Sequence, residues 1–137
     1  MNTKLNPYLG FRNNTKAAMA FYKTVFGGKV ELHTFKEYHA SGDPSEDDLI
    51  MHSVIYADNG ISFMAADTPK SMQYNPGTNM SMSLSGEDDD ELSGYFDKLS
   101  EGGKVIMPLE KAPWGDKFGM VTDKFGVQWL VNIAAPK

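Results

Sequence analysis

The tetrapeptide Gly-Gly-Lys-Val occurs twice in this chain, at residues 27–30 and again at residues 102–105. Before each copy, apolar side chains recur at the spacing i, i+3, i+4 and i+7, which is typical of one face of an α-helix. These side chains belong to Ala18, Phe21, Tyr22 and Val25 in the first half, and to Leu92, Tyr95, Phe96 and Leu99 in the second. The repeat therefore predicts two copies of one unit, each with a helix that ends at a glycine pair.

Start signals precede both predicted helices. Residues 13–15, Asn-Asn-Thr, offer polar side chains that can cap the first helix. The acidic block at residues 87–91 opens the second helix, where carboxylates face the positive end of the helix dipole. We interpret this block as a helix start and not as a metal site, because no histidine lies near it in the sequence.

Strands are predicted on both sides of each helix. Apolar and polar residues alternate at residues 5–11 and 79–85, and each glycine pair leads into a further strand, at residues 29–36 and 104–107. Each half then ends in a hairpin, and the first of these turns at Asn59-Gly60. Two longer stretches, residues 39–48 and 109–117, are predicted as loops.

The predicted fold class is α+β, with two tandem β-α-β-β-β units in a single domain of residues 1–137. The first unit covers residues 1–67 and the second residues 79–137. Between them, residues 68–78 contain two prolines and a glycine and are predicted to be a linker.

Composition narrows the class of protein. The chain lacks cysteine, which excludes disulfides and cysteine nucleophiles and fits a reducing compartment. Its net charge of -5, without a basic cluster, makes nucleic acid an improbable partner. Residues 1–7 have no signal-peptide pattern, and no apolar run approaches the roughly 20 residues of a membrane helix. We therefore expect a cytoplasmic protein that does not bind membranes.

Six stretches that together cover almost the whole chain carry a family resemblance: residues 7–11, 20–28, 50–52, 101–105, 113–119 and 123–129. They resemble the PhnB-like branch, sometimes described as 3-demethylubiquinone methyltransferase-like, of the vicinal oxygen chelate superfamily. That superfamily includes glyoxalase I, bleomycin-resistance proteins and extradiol dioxygenases. The resemblance implies two curved sheets around a cleft, and it implies a homodimer.

The resemblance also implies a divalent metal, held by His, Glu or Gln side chains from the first and last strands of each unit. Here the corresponding positions are Asn6, Met64, Ser81 and Leu130. None of them is a histidine or a carboxylate, the ligands that such metals prefer. We therefore expect neither a metal nor another cofactor in this chain.

Among the three histidines, His52 is the best candidate for function, because its segment matches the family motif. An imidazole there could move a proton or anchor a carboxylate, although a lone histidine in a half-buried strand is more often structural. The sequence leaves open which face of its strand His52 occupies. His33 lies within another predicted strand, and His39 lies in a polar loop.

We expect the cleft to bind a small, partly apolar molecule, with side chains of the first and last strands and of one loop as contacts. The predicted contacts are Tyr8, His52, Met64, Ser81, Trp114, Gln128 and Leu130. Two alternatives stay open: a metal-dependent lyase, isomerase or dioxygenase that uses His52 or His33, and an interaction module with a filled cleft. A nucleotide-type methyltransferase site would need a glycine-rich turn after the first strand, where residues 11–14 read Phe-Arg-Asn-Asn.

Overall fold

Each half of the chain forms a four-stranded sheet with one helix packed on it. The structure is a computed structural model that describes residues 3–136. The predictions for residues 1, 2 and 137, at the ends of the predicted domain, lie outside the described residues. By contacts between residues the chain divides into two units, residues 1–76 and 77–137.

The two units repeat the same order of elements, so the α+β class and the tandem β-α-β-β-β architecture are confirmed. Unit 1 contains β1 (Tyr8–Phe11), α1 (Thr15–Phe26), β2 (Lys29–Thr34), β3 (Ile50–Tyr56) and β4 (Ser62–Asp67). Unit 2 contains β5 (Met82–Gly86), α2 (Asp89–Ser100), β6 (Lys104–Lys111), β7 (Lys117–Thr122) and β8 (Gln128–Ile133).

Both sheets have the same topology. The strand order is β1-β4-β3-β2 in unit 1 and β5-β8-β7-β6 in unit 2. The first and last strands of each unit pair in parallel, with Tyr8 opposite Met64 and Ser83 opposite Leu130, and the remaining pairs are antiparallel. Since side chains alternate between the two faces of a sheet, these registers decide which residues share a face.

One face of each sheet is covered by the helix of its own unit. In unit 1 the rings of Tyr22 and Phe26 on α1 meet Phe63 of β4 edge to face, with ring centres 5.4 and 6.1 Å apart. In unit 2, Leu99 of α2 and the strand residues Trp129 and Val131 are fully buried. The opposite face of each sheet carries no α-helix of its unit among the described residues, and we call it the open face; in unit 1 a short 3-10 helix, Lys36–Tyr38, lies at its edge next to β2.

The first helix begins differently from the prediction. The side chain of Asn14 makes no capping hydrogen bond, and Asn13 has a left-handed backbone with φ of 68°. Instead, the buried carboxylate of Asp67 at the end of β4 accepts hydrogen bonds from the backbone N–H and the hydroxyl of Thr15, at 3.0 and 2.7 Å. The predicted start of α2 is confirmed, because Asp88 accepts a bond from the backbone N–H of Glu91.

The repeated glycine pair has a packing reason. Gly27 and Gly28 have φ values of 74° and 86°, in the left-handed region that favours glycine. A side chain at Gly28 would collide with the backbone carbonyl of Tyr56 in β3. The equivalent Gly103 in unit 2 approaches the carbonyl of Thr122 in β7 in the same way. The second glycine of each pair therefore lets the chain pass close to the neighbouring strand.

Four predicted strand boundaries were wrong by more than one residue, and one of them is the start of β5, which begins at Met82 and not at residue 79. The first strand begins at Tyr8 and not at residue 5, and Leu5 is 99 % exposed, so its side chain takes no part in the core. β2 ends at Thr34, because the pairing with β3 shifts register after His33. β6 continues to Lys111 within the predicted loop 109–117, because its end pairs with Lys117.

The segment predicted as a linker, residues 68–78, has no helix or strand, and its first part is attached to unit 1. Arg12 donates hydrogen bonds to the carbonyls of Pro69 and Met72, at 3.3 and 2.7 Å. Its guanidinium also lies 5.4 Å from the centre of the Tyr74 ring. Within residues 3–136, neither helix is long and apolar enough to cross a membrane.

Candidate functional site

The open face of unit 1 brings together three of the predicted contact residues. Tyr8 of β1 is paired with Met64 of β4, and Met64 is paired with Val54 of β3. His52 lies two residues before Val54, so it shares this face, turned away from α1. The strand pairing thus decides the orientation of His52 that the sequence left open.

Tyr8 and His52 are in direct contact. The phenol oxygen of Tyr8 lies 3.1 Å from Nδ1 of His52, and the ring centres are 5.8 Å apart. Partial burial raises the pKa of the Tyr8 phenol, because removal from water disfavours the phenolate. The phenol therefore keeps its proton at neutral pH and can donate it in a hydrogen bond.

His33 and Glu37 extend this cluster, although the sequence predicted neither of them as a contact. His33 of β2 stands opposite His52, and the two imidazoles are nearly parallel, 13° apart in plane and 6.5 Å between centres. Nδ1 of His33 lies 3.0 Å from a carboxylate oxygen of Glu37. The i, i+4 spacing of His33 and Glu37 was a signal that could have indicated the pair. We call Tyr8, His52, His33 and Glu37 the histidine cluster.

Small residues lie beside the histidine cluster. Gly10 of β1 is paired with Ala66 of β4, two positions beyond the Tyr8–Met64 pair on the same face. A side chain at Gly10 would meet only the hydroxyl of Thr68, at an ordinary contact distance of 3.8 Å. Gly10 therefore leaves space on the open face next to the Tyr8–Met64 pair, which a small ligand could use.

The open face of unit 2 carries three further predicted residues. Gln128 and Leu130 alternate along β8 with the buried Trp129, so they face away from α2. Ser81, just before β5, donates a 2.8 Å hydrogen bond from its hydroxyl to the amide oxygen of Gln128. Leu130 is also paired with Met120 of β7. The face thus combines a polar pair with apolar side chains.

Trp114 lies at the end of unit 2, in the turn between β6 and β7. Its ring packs edge to face on Phe118, with centres 5.7 Å apart, and the residue is 62 % exposed. In the same turn, hydrogen bonds from the Asn132 side chain and the Ala135 backbone lower the pKa of Asp116. The turn is therefore fastened to β8, while most of the Trp114 surface is available for a contact.

A metal of the kind that the superfamily uses does not fit the corresponding positions. Asn6 is exposed and lies outside β1, and Met64 and Leu130 offer a thioether and an alkyl group. Ser81 is already bonded to Gln128. Within residues 3–136, no group of three or more His, Asp or Glu side chains is arranged to hold a metal ion. We therefore derive no chemistry from such a metal.

A concave surface of about 370 Å³ in unit 1, between residues 40–46 and 69–71, is lined by none of the predicted contact residues. Its polar groups bond to one another: the buried carboxylate of Glu46 accepts bonds from the Ser41 hydroxyl and the Lys70 backbone N–H, each at 2.8 Å. Hydrogen bonds from Ser45, with a smaller contribution from Lys70, lower the pKa of Asp43. We interpret this region as a structural link between the two loops.

Known proteins with similar sequences share this fold. The sequence model of the family described as 3-demethylubiquinone-9 3-methyltransferase matches residues 3–132. The structure of protein PA1353 from Pseudomonas aeruginosa is 33 % identical and covers 98 % of this chain and 100 % of its own, with a TM-score of 0.82. The PhnB protein of Bacillus cereus is 27 % identical, covers 96 % and 100 %, and has a TM-score of 0.72.

A more distant structure shares the fold alone. It is a member of the glyoxalase/bleomycin resistance protein/dioxygenase superfamily from Sphaerobacter thermophilus DSM 20745. It is 20 % identical and covers 96 % of this chain and 98 % of its own, with a TM-score of 0.58. The tandem units and their strand order are therefore an architecture found well beyond close relatives.

Proposed function

Because this chain belongs to the PhnB-like family described as 3-demethylubiquinone-9 3-methyltransferase, we propose that it binds a small, partly apolar molecule without a metal ion. The observation that carries the proposal is the Tyr8–His52 contact beside Met64 on the open face of unit 1. A hydrogen-bonded polar pair next to an apolar side chain is typical of the lining of small-molecule sites. A chain without cysteine suits the cytoplasm, where we place this binding.

The methyl-transfer activity in the family's description has little support in this fold. The usual nucleotide-type cofactor site lies at a glycine-rich turn of an open parallel sheet. In unit 1 only β1 and β4 are parallel, and Arg12, Asn13 and Asn14 follow β1. We therefore base the proposal on binding and name no reaction.

A thermal-shift screen of the full chain against a broad metabolite panel tests the proposal. A ligand at about 100 times its dissociation constant should stabilise the protein by about 2.7 kcal/mol. We expect the stabilisation to be lost in His52→Phe and retained in His39→Asn, because His39 is an exposed loop residue outside the histidine cluster. If no compound raises the melting temperature, the interaction-module alternative is favoured.

The second candidate is a metal-dependent lyase, isomerase or dioxygenase with atypical ligands. It is favoured by one observation, that His33 and His52 lie side by side on the open face. Metal analysis of the purified protein separates the two proposals. Stoichiometric zinc, nickel, manganese or iron that is lost in His52→Ala would contradict the metal-free proposal.

We further propose a homodimer, which the exposed edge of unit 2 supports. On the edge strand β6, Val105, Ile106 and Met107 are 43 %, 47 % and 46 % exposed. The edge strand β2 of unit 1 instead carries the ion pair of Lys29 and Glu31, at 3.7 Å. Charged edges resist pairing with other chains, whereas an apolar edge is suited to burial against a partner.

A further inference from the structure

The two imidazoles of the histidine cluster occupy matched positions but have different partners. They stand opposite each other on β2 and β3, with nearly parallel rings. Nδ1 of His33 is bonded to a carboxylate, that of Glu37, at 3.0 Å. Nδ1 of His52 is bonded to a neutral phenol, that of Tyr8, at 3.1 Å. The two imidazoles therefore differ in their bonded partner: His33 has a carboxylate and His52 does not.

The two Nδ1 partners differ in the hydrogen bonds they can make. A carboxylate only accepts hydrogen bonds, so Nδ1 of His33 carries a hydrogen. The Tyr8 phenol can donate to Nδ1 of His52, and in the tautomer that accepts this bond the ring hydrogen of His52 lies on Nε2. None of the hydrogen bonds found within residues 3–136 gives an acceptor to that Nε2–H group. In this tautomer His52 presents on the open face a donor that none of these hydrogen bonds uses.

The charged side chains near His52 are bonded to one another and not to His52. On β2, Lys29 is paired with Glu31, and His33 is paired with Glu37. The ring of Tyr38 flanks His33, with centres 5.9 Å apart. A carboxylate placed at Nε2 of His52 would thus accept from a donor to which no acidic side chain within residues 3–136 is bonded.

The surroundings of this donor suit an apolar group. The rings of Tyr8 and His52 and the thioether of Met64 lie on the same face as the small residues Gly10 and Ala66. An aromatic ring or a short branched alkyl group could lie over Gly10, where an added side chain would meet only the Thr68 hydroxyl at 3.8 Å. A ligand that is apolar at one end and carboxylate at the other would match both features.

We propose that the open face of unit 1 recognises small apolar carboxylic acids, whose carboxylate accepts a hydrogen bond from Nε2 of His52. The ligand would supply His52 with a carboxylate acceptor, as Glu37 does for His33. This inference rests on the proposed small-molecule binding and adds the chemical class of the ligand. Hydrogen bonds between charged and neutral groups are stronger than neutral ones, so the carboxylate should give the ligand its preference.

Benzoate, benzamide and benzyl alcohol are suitable probes, because they share a ring and differ in the polar group. We expect benzoate to bind the full chain at least about tenfold more tightly than benzamide, which corresponds to about 1.4 kcal/mol. Calorimetry measures the affinities, and NMR signals of the histidine rings report the contact. His52→Phe keeps a flat ring without nitrogen donors and should abolish the preference, while His39→Asn should preserve it.

The outcomes separate this inference from the proposed function. Equal binding of benzoate and benzamide, with NMR shifts at Tyr8, would leave the small-molecule site standing and overturn the carboxylate preference. A full preference in a folded His52→Phe variant would place carboxylate recognition elsewhere and also overturn it. If none of the three probes binds, the inference fails, while the metabolite screen decides the proposed function independently. Circular dichroism of each variant checks that it is folded.

Discussion

Asp67 holds three parts of unit 1 through one buried carboxylate. One oxygen accepts bonds from the backbone N–H and the hydroxyl of Thr15, and the other accepts a bond from the backbone N–H of Ile50, at 2.9 Å. It therefore ties the end of β4 to the start of α1 and to the start of β3. Unsatisfied buried donors are costly, so Asp67 takes the place of the helix cap that Asn14 does not provide.

Asp67→Asn should destabilise the protein by about 3 kcal/mol, because hydrogen bonds to a charged acceptor are lost and an amide N–H₂ group faces backbone donors. Urea unfolding of the full chain measures the change. Asp97→Asn is the matched control, since Asp97 is exposed on α2, and its effect should stay within about 0.5 kcal/mol. Equal losses in both variants would contradict the role of Asp67.

The connections from each helix through a glycine pair to the next strand explain why the glycines are repeated. Unit 1 and unit 2 need the second glycine of each pair because a neighbouring carbonyl occupies the place of a side chain. Gly94, within α2, has no such constraint, since a side chain there would meet nothing within 4 Å. The glycines after the helices are thus required by close packing, whereas Gly94 is not, and alanine substitutions can distinguish the two cases.

Gly28→Ala and Gly94→Ala should change stability in opposite directions. Gly28→Ala combines a positive φ with a backbone collision and should cost more than about 1 kcal/mol. Gly94→Ala should stabilise by about 1 kcal/mol, because alanine is the better helix former. Thermal unfolding of both variants checks this, and a destabilised Gly94→Ala would show that the helix surface at residue 94 is constrained after all.

The first turn of α2 is joined to β7 by a pH-sensitive contact. A hydrogen bond from Lys117, followed by one from Ser93, lowers the pKa of Asp89 below its usual 3.8. A lowered pKa contributes stability above the unfolded value, which is lost as the pH falls through the lower folded value. The melting temperature of Asp89→Asn should therefore lie below that of the natural chain at about pH 6 and approach it near about pH 2.

Asp90→Asn is the control for this pH dependence. It removes the same charge from the same helix turn, but Asp90 has no side-chain hydrogen bond among those found within residues 3–136. The melting temperature of Asp90→Asn at neutral pH should differ less from that of the natural chain, and this difference should reflect the helix dipole alone. If the melting temperature of Asp89→Asn lies below that of the natural chain by the same amount at every pH, ionisation of Asp89 is excluded as the cause.

At the scale of the whole molecule, the two units differ in how their edges are protected. The edge strand β2 is charged, whereas β6 exposes three consecutive apolar residues. Within β6, the pairing with β7 shifts register on both sides of Met107, and Pro108 follows it. Such irregularities restrict how a strand can pair, so the proposed dimer would use the side chains of β6 at least as much as its backbone.

The proposed dimer predicts a mass in solution of twice the 15.2 kDa of one chain. Ile106→Glu should shift this mass toward 15.2 kDa, because burying a carboxylate in an apolar contact is unfavourable. Light scattering after gel filtration measures it. Lys104→Gln, on the same strand, should keep the mass of the natural chain, and a monomeric natural chain would contradict the proposed dimer.

The fold was largely predictable from local signals. Helical spacing, the glycine pairs and the turn at Asn59-Gly60 act over a few residues, so the sequence carries them directly. The boundaries were less accurate, because the start of β1 at Tyr8 and the extension of β6 to Lys111 depend on partner strands far away in sequence. The acidic start of α2 was predictable because its cap, Asp88, lies within the helix turn that it stabilises.

The sequence by itself determined the two units, their order of elements and the lack of usual metal ligands at Asn6, Met64, Ser81 and Leu130. Only the tertiary structure decided the face of His52, its contact with Tyr8 and its position opposite His33. The physical reason is strand register: a shift of one residue turns every side chain to the other face, and register is set by pairing between distant segments. The capping of α1 by Asp67, from another strand, has the same origin.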